Sequence, residues 1–379
     1  MRVLYFSRGF TTHDYRFLSV LGDTHHEIYF LQLEDDAIPT EKRPLPGGVA
    51  AVRWRGRTTR ADQPAQLIER MPEFEEILHT IRPSLVHAGP IPSCAFMTAL
   101  AGFHPLLAMS WGSDLLVDAD RDPHWRWRTS YSLLRADWLL CDCEAVRQKA
   151  ESLATFPDDR IIQFPWGIDL ASFTQRGLES IRRLLPEAWN NSIVVLSTRS
   201  WEPVYGIEVL LDAFREARRQ EPRLRLILLG SGTLSGAIQD QIDRNELIDV
   251  VHRPGVVSQD EIPAFFAAAD IYLSCAYSDG ASISLLEAMA TGKQVVVTDC
   301  PGNREWIKQD ENGWLVQPGD SDAFASALVA AANTDANERL RIATANRRVV
   351  DARADWSRNS SVLLAAYDQI ERSNVHAVD

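Results

Sequence analysis

Residues 278–292 read SDGASISLLEAMATG, a run in which Asp279 and Glu287 bracket a row of small side chains. It follows the apolar run Ile271–Cys275, which reads as a buried strand, and leads into a helical pattern over Ser284–Ala290. Ser284-Leu285-Leu286-Glu287 matches a capping box, in which the serine and glutamate satisfy orphan amides reciprocally. That box leaves Asp279-Gly280-Ala281-Ser282 unexplained. Small side chains at a strand-to-helix turn let a diphosphate reach the free amides, and the helix dipole favours its charge. Two carboxylates flanking such a turn repel phosphate unless they accept hydrogen bonds from hydroxyls. The combination points to a nucleotide sugar.

Working outward, short β-rich runs alternate with longer amphipathic ones. On the carboxyl side Gln294–Thr298 reads as a strand and Ser321–Asn333 as a helix. On the amino side Ile193–Ser197 and Leu224–Leu229 read as strands, with helices over Ile207–Arg219 and Leu234–Asn245. An earlier series has strands at Arg2–Ser7, Glu27–Gln32, Leu85–His87, Leu106–Ser110 and Trp138–Cys141. It carries helical patterns from Tyr15–Leu21 and over Leu67–Ile81. This alternation predicts an α/β protein with two parallel sheets, each covered on both faces. The expected division is residues 1–180, residues 181–355 and a last helix within 356–379, with the interdomain connection over Phe173–Pro186. Two such domains place a ligand cleft at the carboxyl ends of their strands.

A chain of 379 residues is comfortable for two domains, and its net charge of −13 argues against a duplex nucleic-acid partner. No stretch reaches the ~18 apolar residues of a membrane span, and MRVLYFSRG lacks the apolar core of a signal peptide. The five cysteines, Cys94, Cys141, Cys143, Cys275 and Cys300, form no zinc-ligand pattern and read as buried thiols. A cytoplasmic protein is expected.

Other candidates stand beside bland readings. Arg199 follows strand IVVLS and could pair bidentately with phosphate, or be a surface arginine. Tyr205 leads into the next helix. Leu229-Gly230-Ser231-Gly232-Thr233 starts like a dinucleotide fingerprint but has Ser235 where a third glycine belongs, so it reads as a tight turn lining the same cleft. Asp118-Ala119-Asp120-Arg121-Asp122 fails as an EF-hand, because Pro123 and Thr129 hold the glycine and glutamate positions. As an Asp-x-Asp metal motif it competes with a solvated acidic loop. His124-Trp125-Arg126-Trp127-Arg128 could touch a membrane surface or a sugar ring, or pack half-buried. Asp114, after Trp111-Gly112-Ser113, and His87 both fall near strand ends, where His87 also reads as a core histidine.

Taken as a set, these features resemble the retaining nucleotide-sugar glycosyltransferases of the GT-B group called family 4. Asp279-Gly280-Ala281-Ser282-Ile283-Ser284-Leu285-Leu286-Glu287 fits that family's acid–glycine–small–glutamate motif, with aspartate for the usual first glutamate. Pro165-Trp166-Gly167-Ile168-Asp169, Ala268-Ala269-Asp270, Pro301-Gly302-Asn303-Arg304-Glu305 and Asn312-Gly313-Trp314-Leu315-Val316 fit its other motifs in order. The resemblance implies a GT-B fold, two Rossmann-like domains facing across a cleft, with the last helix returning to the first domain. It implies a sugar donor linked to UDP or GDP, a hydroxyl acceptor, retention of configuration and no metal or other cofactor. Arg199 would contact the diphosphate, Glu287 the ribose and Asp279 the transferred sugar. Gly230, Ser231, Tyr205 and the segment Gly280, Ala281, Ser282, Ile283, Ser284 would line the donor site. Gly9, His87, Trp111 and Asp114 would lie on the acceptor side, in a domain that could also touch the inner face of a membrane. Tyr205 stands at the family's lysine position and Trp111 at its histidine position. Arg8-Gly9-Phe10-Thr11-Thr12-His13-Asp14 replaces its double-glycine loop. The rival enzyme readings are a nucleotide-sugar epimerase of related fold and a phosphorylase, the latter disfavoured by having only Lys42, Lys149, Lys293 and Lys308 to hold pyridoxal phosphate. A GT-B-like binding subunit without catalysis is the rival of another class.

Overall fold

The computed structural model describes residues 1–34, 41–55, 64–174, 185–186 and 189–376, with residues 374–376 described by backbone only. Most of the expected interdomain connection over Phe173–Pro186, including the boundary at 180–181, lies outside the described residues. The chain divides into two compact units, one of Met1–Pro165 with Arg358–Asp379 and one of Trp166–Ser357.

Unit 1 is built on a seven-stranded parallel sheet. Its strands are β1 (Arg2–Ser7), β2 (Glu27–Gln32), β3 (Val49–Val52), β4 (Leu85–Gly89), β5 (Leu106–Met109), β6 (Trp138–Cys141) and β7 (Ile161–Gln163), in the order 3-2-1-4-5-6-7. Helical periodicity over Leu67–Ile81 is interrupted, and two helices form, Pro64–Glu69 and Met71–Ile81. Pro72 is the cause, since its nitrogen carries no hydrogen and its ring collides with the carbonyl four residues back. Strands β3 and β7, short and pattern-poor, escape a reading by hydrophobic alternation.

The last helix, Trp356–His376, contributes its later residues to unit 1, where Leu363, Tyr367 and Ile370 are buried. Tyr367 Oη lies 2.7 Å from His87 Nδ1, and His87 Nε2 lies 3.2 Å from Met109 Sδ. Of the two readings for His87, the structure takes the core one. It is fully enclosed, and burial lowers its pKa to about 3. The unfolded chain therefore takes up this proton first, near pH 6.5, and the stability that neutral His87 preserves above that pH is lost as pH falls toward 3. Between pH 7 and pH 5 the wild type should lose about 2 kcal/mol more than His87→Gln in urea unfolding. Parallel losses would remove His87 as the cause.

Unit 2 repeats the plan with six parallel strands. They are β8 (Ile193–Ser197), β9 (Leu224–Leu229), β10 (Val251–Gly255), β11 (Ile271–Ser274), β12 (Gln294–Thr298) and β13 (Trp314–Val316), in the order 10-9-8-11-12-13. Side chains along β8 alternate between two cores. Ile193 and Val195 join one with Leu210, Phe214 and Phe324, while Val194 and Leu196 join the other with Phe266, Leu285 and Met289. Such a strand is apolar throughout because both of its faces are covered. In each sheet the strand order reverses beside the first strand, between β1 and β4 and between β8 and β11. At such a reversal the loops leaving the carboxyl ends of neighbouring strands diverge and leave a crevice.

Candidate functional site

In unit 2 the reversal between β8 and β11 is where the opening motif falls. Arg199 leaves the end of β8 and Asp279 follows β11, and the two meet as an ion pair with Arg199 Nη2 3.1 Å from Asp279 Oδ1. Arg199 Nη1 donates to Ser282 Oγ at 3.0 Å. Both members are nearly enclosed, with side-chain exposures of 9% and 13%. Burial opposes the guanidinium's charge, yet Asp279 beside it holds Arg199 above its ordinary range. Burial pushes the Asp279 carboxyl up, and Arg199 pulls part of that shift back. The Tyr205 ring lies under the guanidinium, 4.2 Å from centroid to Cζ. In place of a second cation, the aromatic face supports the one arginine present.

Two atoms of this pair are unsatisfied. Arg199 Nε and Asp279 Oδ2 are buried and have no hydrogen-bond partner among the described residues. The hydroxyls of Ser197 and Ser274, ending β8 and β11, share that condition. A buried polar atom without a partner costs about 1–3 kcal/mol, so a cluster of them marks a place where a ligand gains by supplying the missing half of each bond.

The helix after the motif spans Ile283–Ala290 and begins one residue earlier than expected. Ser282 occupies its N-cap, but no side chain caps the helix, and the expected box between Ser284 and Glu287 does not form. The helix starts at Ile283, which puts Ser284 inside the first turn rather than at the cap; at the cap the Ser282 hydroxyl accepts from Arg199, and Glu287 Oε1 accepts from Gln259 Nε2 at 3.3 Å. The first-turn amides of Ile283, Ser284 and Leu285 have no acceptor inside the helix, as at any helix start. They sit directly after Gly280, Ala281 and Ser282, which are all buried. Glu287 is 3% exposed, one turn into the helix.

Close packing of backbone fixes this loop. A Cβ on Gly302, in the turn after β12, would fall 2.3 Å from the carbonyl oxygens of both Asp279 and Gly280. Gly230, directly after β9 and with φ of +100°, lies against the Arg199 backbone, where a Cβ would come within 2.7 Å of its oxygen. Ser231 O accepts from Trp201 N at 2.9 Å. Glu202 takes both Thr233 N and Thr233 Oγ1, at 2.9 and 2.5 Å. Four loops thus bear on Arg199 and Asp279. Gln259 and the Glu202–Thr233 brace were not found from sequence, since a lone glutamine or glutamate in a polar loop carries no periodic signal.

The acceptor-side candidates lie in unit 1. Asp114 is buried, and both its oxygens are engaged. Oδ1 accepts from Ser110 Oγ at 2.7 Å and Trp111 N at 2.9 Å, and Oδ2 from Ile91 N at 2.9 Å. Burial raises its pKa to about 6. It ties the loops after β4 and β5 together, which makes it a structural carboxylate rather than an open one. Trp111 packs its ring against His13 and Phe17, at 5.5 and 6.2 Å. Gly9 is buried after β1, where Thr11 and Asp14 form a reciprocal capping box for the helix Thr12–Gly22. Asp120 is spent on ion pairs with Arg126, at 2.9 Å, and Lys149. The five cysteines are buried and unbridged.

The chain matches two family models, "Glycosyl transferase 4-like" over residues 2–142 and "Glycosyl transferases group 1" over residues 186–349. It belongs to the group 1 glycosyltransferases. Within that family the chain is 27% identical over 201 residues to WcaL of Escherichia coli (strain K12), a glycosyltransferase assigned to colanic acid biosynthesis, covering 52% of this chain and 48% of WcaL. It is 27% identical over 209 residues to the alpha-monoglucosyldiacylglycerol synthase of Streptococcus pneumoniae, covering 53% and 46%. These matches span about half the length of the curated relatives. Anabaena HepE, solved in complex with UDP and glucose, shares the fold with a TM-score of 0.78 at 19% identity, over 97% of this chain and 100% of that one. No described helix is long and apolar enough to cross a membrane.

Proposed function

We propose that this group 1 family member is a glycosyltransferase that moves a sugar, with retention of configuration, from a UDP- or GDP-sugar to a hydroxyl acceptor. The observation that carries the reading is the pair of unsatisfied groups at the β8–β11 reversal. A sugar diphosphate offers an anionic oxygen to Arg199 Nε and a hydroxyl to Asp279 Oδ2. The small-residue turn admits the diphosphate to the amides of Ile283 and Ser284. Glu287 accepts from the ribose hydroxyls. In the reaction the bond between the anomeric carbon and the phosphate oxygen breaks while the acceptor oxygen bonds to the same face of that carbon. The acceptor's proton passes to the departing diphosphate oxygen. Arg199 and the helix amides stabilise the negative charge that grows there, which leaves no task at that oxygen for a metal. EDTA is accordingly expected to leave the rate unchanged.

UDP is the first nucleotide to test, because HepE, of the same fold, has been seen with it. Thermal stabilisation by UDP or GDP, with slow hydrolysis of the matching sugar donor, is the expected result. Neither effect with any nucleotide would sink the reading. Glu287→Ala should weaken nucleotide binding about 10-fold through loss of charged hydrogen bonds. Asp279→Ala should lower kcat more than nucleotide affinity, because its partner is the transferred sugar. Wild-type kinetics in both variants would remove the loop from the donor site.

A further inference from the structure

In unit 1 the turn between the helix Thr12–Gly22 and β2 carries two adjacent histidines, His25 and His26, and both bring a ring nitrogen toward Glu371 of the last helix. His25 Nε2 lies 3.2 Å from Glu371 Oε2. His26 Nδ1 and Glu371 Oε1 lie 3.1 and 2.8 Å from the α-amino nitrogen of Met1. The ligand atoms of the three side chains stand within 4.8 Å of one another, and among the described residues this is the one group of histidine, cysteine and carboxylate side chains drawn that close. Both sides of the group are held in place. Thr24 Oγ1 accepts from His26 N at 3.2 Å and donates to the Leu21 carbonyl at 2.6 Å, which fixes the turn. His26 is 6% exposed, its ring centroid 4.1 Å from that of His25 and 5.8 Å from that of Tyr367. Glu371 stands one turn beyond Tyr367 on the same helix, next to the buried Ile370. Packing has therefore done most of the ordering that a ligand would otherwise have to impose.

Two imidazole nitrogens and a carboxylate oxygen are a donor set for a divalent ion of the first transition row, zinc above all. Around a tetrahedral zinc with bonds of about 2.0–2.1 Å, neighbouring donor atoms stand about 3.3–3.4 Å apart. The distance from His25 to Glu371 is already 3.2 Å. Their side chains are 67% and 34% exposed, so an ion can enter from solvent and both can turn to meet it. The group already gathers one cation, the α-ammonium of Met1. Burial, with the α-ammonium and His25 adding to it, lowers the pKa of His26 and keeps its ring neutral, the form that binds a metal.

We propose that His25, His26 and Glu371 hold one zinc ion, which takes the place of the α-ammonium among them and clamps the last helix to the turn before β2. His25 and Glu371 stand 346 positions apart, so the ion closes unit 1 between its two distant stretches of chain. None of the three belongs to the donor site of unit 2, and the ion has no part in sugar transfer. The test is isothermal titration of the full, chelator-treated chain with zinc chloride, followed by thermal unfolding. One zinc per chain should bind, and zinc at about a hundredfold above its Kd should raise the melting temperature by about 5 °C, a rise that EDTA reverses. X-ray absorption at the zinc edge should show nitrogen and oxygen neighbours at about 2.0–2.1 Å and no sulfur. His25→Ala and Glu371→Gln should each weaken zinc binding at least ~10-fold and lose the rise in melting temperature. Magnesium should produce no rise in the wild type. Without zinc, His25→Ala replaces an exposed ring and should melt with the wild type, so it carries the test if Glu371→Gln melts early. Zinc bound as tightly by His25→Ala as by the wild type, sulfur at the zinc edge, absence of saturable binding, or a melt that zinc leaves unchanged or lowers overturns the proposal.

Discussion

Arg199→Leu is expected to lower kcat/KM for sugar transfer about 10³-fold, the scale of losing a guanidinium that meets charge developing on a leaving group. The loss has two sources that can be separated. Leucine removes the only cation that bonds both Ser282 and Asp279 among the described residues. It also leaves Asp279 as an enclosed carboxylate without its counter-charge, so that its pKa, already raised by burial, rises further. The acid limb of the pH–rate profile should therefore move upward in the variant, together with a fall in stability of about 3–5 kcal/mol. Arg199→Lys keeps the charge but gives up the planar fork and the stacking on Tyr205. An intermediate loss is expected from it. If Arg199→Leu transferred sugar at the wild-type rate, the site assigned here would be wrong.

Gly302→Ala carries the second large effect, although residue 302 contacts no part of the donor in the reading above. One added methyl would lie 2.3 Å from two main-chain oxygens, those of Asp279 and Gly280. Neither can yield as a flexible side-chain tip could, so either the turn after β12 or the Asp279 loop must move. A displacement there separates Asp279 from Arg199 and shifts the amides that follow. The expected cost is about 2–4 kcal/mol in stability, together with loss of nucleotide-induced thermal stabilisation. Retained stabilisation by nucleotide, in a variant that still folds, would show that the loop tolerates the shift and that its backbone position does not set donor binding.

The strands that carry the site were legible in the sequence because both of their faces are covered. IVVLS, LRLILL and QVVVT are apolar but for Arg225 and the polar residues at their ends, and β8, β9 and β12 span those residues. β3, β7, β10 and β13 lie toward the sheet edges and are short or interrupted by glycine and proline, so alternation had little length over which to show itself. At the β8–β11 reversal Asp279 meets Arg199, but the capping box read from Ser284 and Glu287 did not form. Local pattern reports what a segment can do alone. It could not report that the helix starts at Ile283, with Ser284 inside its first turn, or that Arg199, 83 positions earlier in the chain, bonds the Ser282 hydroxyl at the cap. Asp114 shows the converse, since its place after a strand suggested an open carboxylate and only the three donors around it reveal a structural one.

The return of Arg358–Asp379 to unit 1 has a bearing on how the protein is made. Translation delivers all seven strands of the first sheet before any residue of the second, yet the hydroxyl that partners His87 belongs to Tyr367. Unit 1 thus leaves the ribosome first and closes last, with an apolar seam for Leu363, Tyr367 and Ile370 standing open while all of Trp166–Ser357 is synthesised. A chain truncated after Ser357 should expose that seam to chaperones, while the unit 2 core, whose last member is Ala354, is complete.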